Sequence, residues 1–221
     1  MVMYSFTPLA IHQGLLLTVN TVTVWGWTGQ RLALPAEATC YGMVVADAAV
    51  LQSAAGRRFE LDRGMYFAVN DGGSVTGGQG LIIALTGYRG LWQIGGPLEP
   101  TGRLRYIDGC SDTLLISPPQ LGDPCLNHLH IPPQTDQTPH THPSARLGVI
   151  LNGSGECRTP SGVYPLQPGM GWYIPAGCLH SFFTRDEALD VVAWHPDSDC
   201  GPRDDDHPMI NRTVVQPVVV E

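Results

Sequence analysis

Three histidines are the residues of this chain whose type and spacing could carry chemistry. His140 and His142 stand two positions apart in the segment PHTHP, and His180 ends the segment GMGWYIPAGCLH. Side chains repeat every two residues along an extended backbone, whereas on a helix this pair would diverge by about 200°. We therefore expect both imidazoles on one face of a strand, with His180 joining them from just beyond a turn. Three neutral nitrogen donors from two β-segments are a typical ligand set for a transition metal.

The composition predicts the elements that must hold these histidines. The chain has 221 residues, of which 26 are glycine and 19 are proline, and only 14% are charged. Such frequent turn-forming residues favour many short strands over helices, which predicts an all-β fold class. The length allows either one large β-domain or two domains of about 100 residues each.

Charge and hydrophobicity argue against two classes of partner. The formal net charge is -8, and the 12 basic residues are scattered rather than clustered as nucleic-acid binding requires. No apolar run reaches the roughly 18 residues of a membrane span. The first residues lack the basic start of a secretory signal, and the six cysteines form no C-x-x-C pair. We therefore expect free thiols and a cytoplasmic protein.

An internal repeat predicts that the chain consists of two modules. The segment from Leu61 to Gly72 aligns with the segment from Leu166 to Gly177 at an offset of 105 residues. Upstream, Tyr41 to Val45 aligns with Leu147 to Leu151 at an offset of 106. Two matches in the same order at nearly the same offset favour a duplication.

The repeat also predicts where the chain divides. We expect a first module over residues 1–105, a second module over 106–200 and a C-terminal tail over 201–221. Within the first module, Thr76-Gly-Gly is expected to form a turn. No histidine stands at the aligned positions of the first module, so metal binding is assigned to the second module alone. The first module is expected to cover a sheet of the second.

The histidine segments resemble the two sequence motifs of the cupin superfamily. The first motif reads His-x-His, three or four residues, Glu, six residues and Gly, and HTHPSARLGVILNG matches it at His140, His142 and Gly153. The second motif is matched at Gly169, Pro175, Gly177 and His180, with Thr184 in place of its asparagine. The resemblance implies a double-stranded β-helix, or jelly-roll barrel, with the metal inside. Together with the repeat, it makes the chain similar to the bicupins, with a degenerate N-terminal module.

One residue departs from the cupin pattern. The glutamate that usually supplies a fourth ligand is replaced by Arg146, which stays protonated and cannot bind a metal. The resemblance therefore implies a site of three neutral histidines, similar to those of thiol dioxygenases and gentisate-type dioxygenases. Such a site leaves the full charge on a divalent ion and favours anionic substrates. If Arg146 points inward, its guanidinium would bind a substrate carboxylate; if it points outward, it would pair with a surface acid.

Two further histidines precede the first motif and are candidates for the same site. His128 and His130 stand two apart on the preceding strand, and His130 is assigned as a catalytic base that faces the pocket beside Arg146. The alternative is that both are half-buried histidines whose hydrogen bonds are satisfied within the sheet.

The function predicted from these residues is that of a metal-dependent cupin enzyme. We favour an Fe(II) dioxygenase that oxidises a small anionic substrate with dioxygen, although Zn, Mn, Ni or Cu would also suit three histidines. Two alternatives stay open: a non-redox Zn, Mn or Ni lyase, isomerase or hydrolase, and a cupin that binds a small molecule without catalysis. Edge strands of such barrels commonly pair between chains, which would give a homodimer.

Overall fold

The computed structural model describes residues 5–215, and its regular elements are antiparallel strands together with two short 3-10 turns. The strands are β1 (Thr7–Ala10), β2 (Leu15–Val19), β3 (Val22–Thr28), β4 (Leu32–Leu34), β5 (Ala38–Ser53), β6 (Arg58–Leu61), β7 (Tyr66–Val69), β8 (Gly73–Thr86), β9 (Gln93–Gly95), β10 (Leu104–Arg105), β11 (Ser111–Ile116), β12 (Cys125–Ile131), β13 (Arg146–Gly153), β14 (Gly155–Thr159), β15 (Gly162–Leu166), β16 (Met170–Ile174), β17 (Ser181–Phe183) and β18 (Leu189–His195). Two 3-10 turns, Ile11–Gln13 and Ile107–Gly109, complete the elements. The all-β prediction is confirmed.

The strands form one large sheet in each half of the chain. In the first half the order is β2-β3-β8-β5-β7-β9, with β4 and β6 attached to β8 and β5. In the second half the order is β1-β16-β13-β18-β12-β11-β10, and a small sheet, β15-β14-β17, lies apart from it. Among the described residues, no helix has the length and hydrophobicity that crossing a bilayer requires.

Alternating side chains give the fold three layers of hydrophobic core. One cluster, around Trp27 and Leu51, fills the first half, and another, around Trp172 and Ile150, fills the second. A third cluster contains residues of both large sheets, including Trp194 of β18, and holds the two sheets face to face. Neighbouring residues of a strand point to opposite faces of the sheet. Each large sheet therefore packs one face into the core of its own half and the other face into the core that the two sheets share.

The two halves share the local geometry that the repeat predicts. The amide N–H of Gly64 donates to the carbonyl of Val44 over 2.9 Å, and the amide of Gly169 donates to the carbonyl of Ile150 over 2.8 Å. These are aligned positions of the repeat. Likewise, Gly42 pairs with Phe67 and Gly148 pairs with Trp172, and a Cβ on either glycine would collide with the facing aromatic ring. This shared register supports the duplication, which stays a prediction.

Gly148 provides a sharp test of this packing. A Cβ at this position would lie 1.8 Å from the carbonyl oxygen of Val192 and 2.7 Å from the ring of Trp172. We expect Gly148→Ala to destabilise the protein by about 3 kcal/mol or more, because backbone must move to accept the methyl group. Gly171→Ala is the control, since its nearest neighbours are 3.2 Å away. Urea unfolding should show a far larger loss for the first variant, and equal losses would contradict the argument.

The structure differs from the predicted organisation in two places. Strand β1 lies within the predicted first module, yet it pairs with β16 of the second half, so the N-terminal segment joins the sheet of the other half. The predicted turn at Thr76-Gly-Gly is absent, because β8 runs through it; Gly77 and Gly78 have positive φ where the pairing with β5 shifts register. The two glycines therefore lie opposite a β-bulge of β5, between Ala46 and Ala49, rather than in a chain reversal. Of the predicted tail, residues 201–215 form turns and 216–221 lie outside the described residues.

Candidate metal centre and its cavity

His140 and His180 are joined by the backbone. The amide of each donates to the carbonyl of the other, over 2.9 Å and 3.0 Å, in an isolated antiparallel bridge. His142 follows in a loop, where its carbonyl accepts from the amide of Gly177 at 2.8 Å. The extended backbone that the two-residue spacing predicts is therefore present locally, although these residues precede β13 rather than belong to a regular strand.

The three imidazoles converge on one point. Their nearest ring nitrogens lie within 4.8 Å of one another, and the ring centroids are 4.5–5.2 Å apart. Nδ1 of His140 lies 2.9 Å from the carbonyl of Thr138, and Nδ1 of His180 lies 2.9 Å from that of Cys178. A carbonyl only accepts, so both Nδ1 atoms carry the proton and both Nε2 lone pairs are free for a ligand. This donor set fits a divalent transition metal.

The electrostatics of the site keep two of these rings neutral. Burial lowers the pKa of His142 to about 3, and the nearby charge of Arg146 contributes to the shift. Burial lowers the pKa of His180 to about 4, although the hydrogen bond to Cys178 opposes it. Neutral imidazoles are the form that binds metals, so no proton needs to leave these rings before an ion enters.

Arg146 lines the same cavity as the three histidines. Its Nη1 donates to the hydroxyl of Ser144 over 2.5 Å and to two backbone carbonyls, of Ser144 and Ala145. The Ser144 hydroxyl in turn donates to the carboxylate of Asp197, which offsets the charge of Arg146. One amino group of the guanidinium is thus anchored, while Nε and Nη2 make no hydrogen bond within residues 5–215.

The histidines and Arg146 open into a cavity of about 360 Å³. This volume suits a small organic molecule. Most of its wall is apolar and comes from Leu104, Leu129, Trp172, Ile174, Phe182 and Val191. Trp172 faces this interior, whereas its neighbour Tyr173 belongs to the core between the two large sheets. The cavity is therefore mostly apolar, and the charge of Arg146 lies in it together with the three imidazoles.

A second polar group occupies the wall formed by β11, β12 and β18. The side-chain amide of Asn127 donates to both carboxylate oxygens of Asp112, over 2.9 Å and 3.2 Å. On its other side, the Asn127 oxygen lies 3.1 Å from Nε2 of His195, and Nδ1 of His195 lies 2.6 Å from the carbonyl of Asp197. All three side chains line the cavity.

His130 is not brought into the cavity, which corrects its assignment as a catalytic base. His128 and His130 point to the opposite face of β12 from Asn127 and Leu129 because directions alternate along a strand. There, Asp190 of β18 accepts from His128 Nε2 at 3.0 Å and from His130 Nδ1 at 2.8 Å. Asn152 donates to the other carboxylate oxygen at 2.7 Å. The alternative, two histidines bonded to a neighbouring strand of the sheet, describes them better, although Nδ1 of His128 is buried without a hydrogen-bond partner among the described residues.

This cluster should matter for stability. Asp190→Asn removes an acceptor from two imidazoles in a buried setting, so we expect a loss of about 2–4 kcal/mol in the free energy of unfolding at neutral pH. Burial alone would raise the pKa of Asp190, but the three hydrogen bonds outweigh it and lower the pKa below its usual value. The stabilisation is therefore complete above the unfolded pKa of about 3.9 and is lost as the pH falls through the lower folded value.

Urea unfolding of both proteins checks this prediction across pH. The difference between wild type and Asp190→Asn should be largest near neutrality and should shrink below about pH 4. Asp186→Asn, on an exposed loop, is the control and should change stability by less than about 0.5 kcal/mol. A variant as stable as wild type at pH 7 would show that the cluster contributes nothing.

Reasoning from sequence missed Asp112, Asn127 and His195 as residues of the cavity. The alternation of β12, CLNHLHI, separates Asn127 and Leu129 from His128 and His130. That signal was present, but nothing in the sequence says which of the two faces is the interior.

One segment of the chain matches a known protein family. Residues 127–195 match the cupin domain family, and this span contains all three histidines and Arg146. No curated protein sequence matches the chain.

Solved structures with the same fold cover most of the chain. A cupin 2 conserved barrel domain protein from Leptotrichia buccalis has a TM-score of 0.62 at 12% identity, over 86% of this chain and 88% of that one. The protein Ylba from E. coli has a TM-score of 0.61 at 12% identity, over 92% and 95%. Salicylate 1,2-dioxygenase from Pseudoaminobacter salicylatoxidans, as adducts with gentisate, has a TM-score of 0.58 at 8% identity, over 79% and 67%. These similarities establish the jelly-roll barrel fold.

Proposed function

Because residues 127–195 of this chain match the cupin domain family and contain the three converging histidines, we propose that the protein is a metal-dependent dioxygenase. In this proposal, His140, His142 and His180 hold one iron(II) ion, and the enzyme oxidises a small anionic substrate with dioxygen. Arg146 binds the anionic group of the substrate.

The observation that carries the proposal is the position of Arg146. A guanidinium and three neutral imidazoles line one cavity, and part of the guanidinium has no hydrogen-bond partner within the described residues. A carboxylate that binds there would receive charge-assisted hydrogen bonds from Nε and Nη2. The tether to Ser144 fixes the guanidinium before the substrate arrives, so little side-chain entropy is lost on binding.

The histidines suit a metal not only because there are three of them but also because their ring nitrogens are available as donors. Hydrogen bonds to the carbonyls of Thr138 and Cys178 leave Nε2 of His140 and His180 as the free donors, and burial keeps His142 and His180 neutral. When bound, iron(II) would supply Lewis acidity and redox chemistry with dioxygen. Trp172, Ile174 and Phe182 surround the rings with apolar surface and restrict water around them.

A relative of the same fold supports the class of substrate. Salicylate 1,2-dioxygenase, whose fold this chain shares, is described with gentisate bound as an adduct. Gentisate and salicylate are small aromatic carboxylates of a size that suits a cavity of about 360 Å³. They are therefore the first substrates to test, together with short aliphatic hydroxy acids.

Metal analysis and oxygen uptake test this proposal. Protein purified without added metal, and protein reconstituted with Fe(II) under anaerobic conditions, should be assayed for metal content and for oxygen consumption with each carboxylate. One equivalent of iron together with substrate-dependent oxygen uptake is the expected result. No retained metal under any loading condition would overturn both enzyme interpretations.

Two other functions make different predictions in the same assay. Three histidines with an open coordination position also suit a Zn, Mn or Ni enzyme of lyase, isomerase or hydrolase type. That function predicts one of these metals and substrate turnover without oxygen uptake. A cupin that only binds a small molecule would bind carboxylates without turning over any of them. A 7S globulin from Momordica charantia also shares the fold, with a TM-score of 0.51.

A further inference from the structure

The cavity has a second polar wall whose role the three histidines and Arg146 do not explain. Asp112, Asn127 and His195 lie on adjacent strands in the order β11-β12-β18, and their side chains form one hydrogen-bonded row along the wall. The charge of Arg146 is offset by Asp197 rather than by Asp112. The carboxyl group of Asp112 is therefore free of the guanidinium and is held by the amide of Asn127 alone among the described side chains.

Two proton arrangements satisfy this row. In the first, His195 is an imidazolium that donates from Nε2 to the Asn127 oxygen, and the Asn127 amide donates to the Asp112 carboxylate. In the second, the Asn127 amide is flipped, so that it donates to neutral His195 and its oxygen accepts the proton of a protonated Asp112. Nδ1 of His195 donates to the carbonyl of Asp197 in both arrangements. The row holds the same number of protons in both.

The surroundings of Asp112 and His195 shift the pKa of both groups in the direction of the neutral arrangement. Burial raises the pKa of Asp112, and the hydrogen bond from Asn127 only partly opposes the shift. Burial and the charge of Arg146 lower the pKa of His195. His128, whose charge would lower the pKa of Asp112, and Tyr106, Cys125, Asp197 and Asp199 are further titratable groups near this row.

Both arrangements have the same consequence for a ligand. If Asp112 is ionised, its oxygens only accept hydrogen bonds; if it is protonated, its O–H is already used on Asn127 and the other oxygen still accepts. Strands β18 and β12 separate Arg146 on β13 from Asp112 on β11, so the cavity presents donors and an acceptor at separate places on its wall. This pattern selects a molecule with an anion at one end and a hydrogen-bond donor at the other.

We propose that Asp112 recognises a hydroxyl or amino group at the end of the substrate away from its anionic group, and that Asn127 and His195 are positioning residues that hold the Asp112 carboxyl group. The substrate class is therefore a small hydroxy- or amino-substituted carboxylate rather than a simple carboxylate. This inference rests on the proposed function, because it takes the anion to be bound at Arg146.

Matched ligand pairs test the role of Asp112 separately from that of Arg146. Calorimetry on the metal-loaded protein would compare salicylate with gentisate, which carries one ring hydroxyl more, and butyrate with γ-hydroxybutyrate. In at least one pair, wild type should bind the member with the additional hydroxyl about tenfold or more tightly than the other. Asp112→Ala should remove that preference and leave the affinity for the simpler carboxylate within about threefold.

Further variants keep the test decisive. Asp112→Asn, which preserves size, should also lose the preference if Asp112→Ala folds poorly by circular dichroism, and Asp186→Asn should keep it. Asn127→Leu should weaken the preference but not the binding of simple carboxylates, a split that a merely structural role would not produce. Equal preferences in wild type and both Asp112 variants would overturn the proposal while the binding of carboxylates still supports Arg146. If no carboxylate binds, both proposals fail.

Discussion

Replacing His180 by alanine is expected to reduce the bound metal from one equivalent per chain to a trace. The substitution removes one of three donors. We expect the affinity of His140 and His142 alone for a divalent ion to be lower by on the order of 100-fold or more, because losing only a residue that hydrogen-bonds a ligand already lowers metal affinity by up to about 100-fold. The bridge to His140 is made by backbone atoms, so it survives the substitution. Mass spectrometry of metals in the purified, dialysed protein measures the result.

Two controls make this experiment specific. His12→Ala changes an exposed histidine remote from the site, and His130→Ala changes one that is bonded to Asp190 outside the cavity. Both should retain the metal, whereas His142→Ala should lose it as His180→Ala does. Retention of a full equivalent by His180→Ala would show that the metal is held elsewhere. Loss by His130→Ala would indicate that it is held by His128, His130 and Asp190, whose donor atoms also lie within 4.8 Å of one another.

Replacing Arg146 by methionine is expected to weaken the binding of small carboxylates by about 10- to 100-fold while leaving the metal content unchanged. Methionine keeps the length and much of the apolar stem but removes the charge-assisted hydrogen bonds, which contribute about 1.5–3 kcal/mol. Arg146→Lys should recover part of the affinity, because it restores the charge without the planar fork. Calorimetry with gentisate as the probe, on protein of known metal content, measures the change.

The control for Arg146 is a second arginine of the same cavity. Arg105 lines the mouth but is exposed, so its charge is screened by solvent. Arg105→Met should lower the affinity by less than about threefold, and its effect should vanish at high salt. Equal losses for the two variants would mean that the general positive potential of the mouth, rather than the position of Arg146, attracts the anion.

Much of the local structure could be predicted from residue types and their spacing. The density of glycine and proline predicted short strands, and the two-residue spacing of His140 and His142 predicted extended backbone that could aim both rings one way. The aligned glycines at 42 and 148 indicated a shared register, which the structure shows as one glycine against one aromatic ring in each half. These features are local, because they depend on backbone geometry over a few residues.

Which face of a strand points into the barrel could be seen only in the tertiary structure. The alternation of CLNHLHI separates two sets of side chains, but both faces of this strand are covered, one by the barrel interior and one by the other sheet. Hydrophobicity therefore could not distinguish them, and His130 was assigned to the wrong side while Asn127 was overlooked. The pairing of β1 with the sheet of the second half, and the β-bulge of β5 opposite Gly77, likewise depend on partners that are distant in sequence.

The sequence by itself thus determined the donor set, three imidazoles with an arginine where the family usually has a glutamate, because ligand identity is a property of residue types. Only the tertiary structure decided that Arg146 lines the cavity with part of its guanidinium free, and that Asp112 and His195 share that cavity. The physical reason is that Pro143 and Ser144 form a bend between His142 and the start of β13 at Arg146, so strand alternation cannot be counted across it. The direction of the Arg146 side chain depends instead on its hydrogen bond to Ser144, which in turn is bonded to Asp197, some fifty positions later.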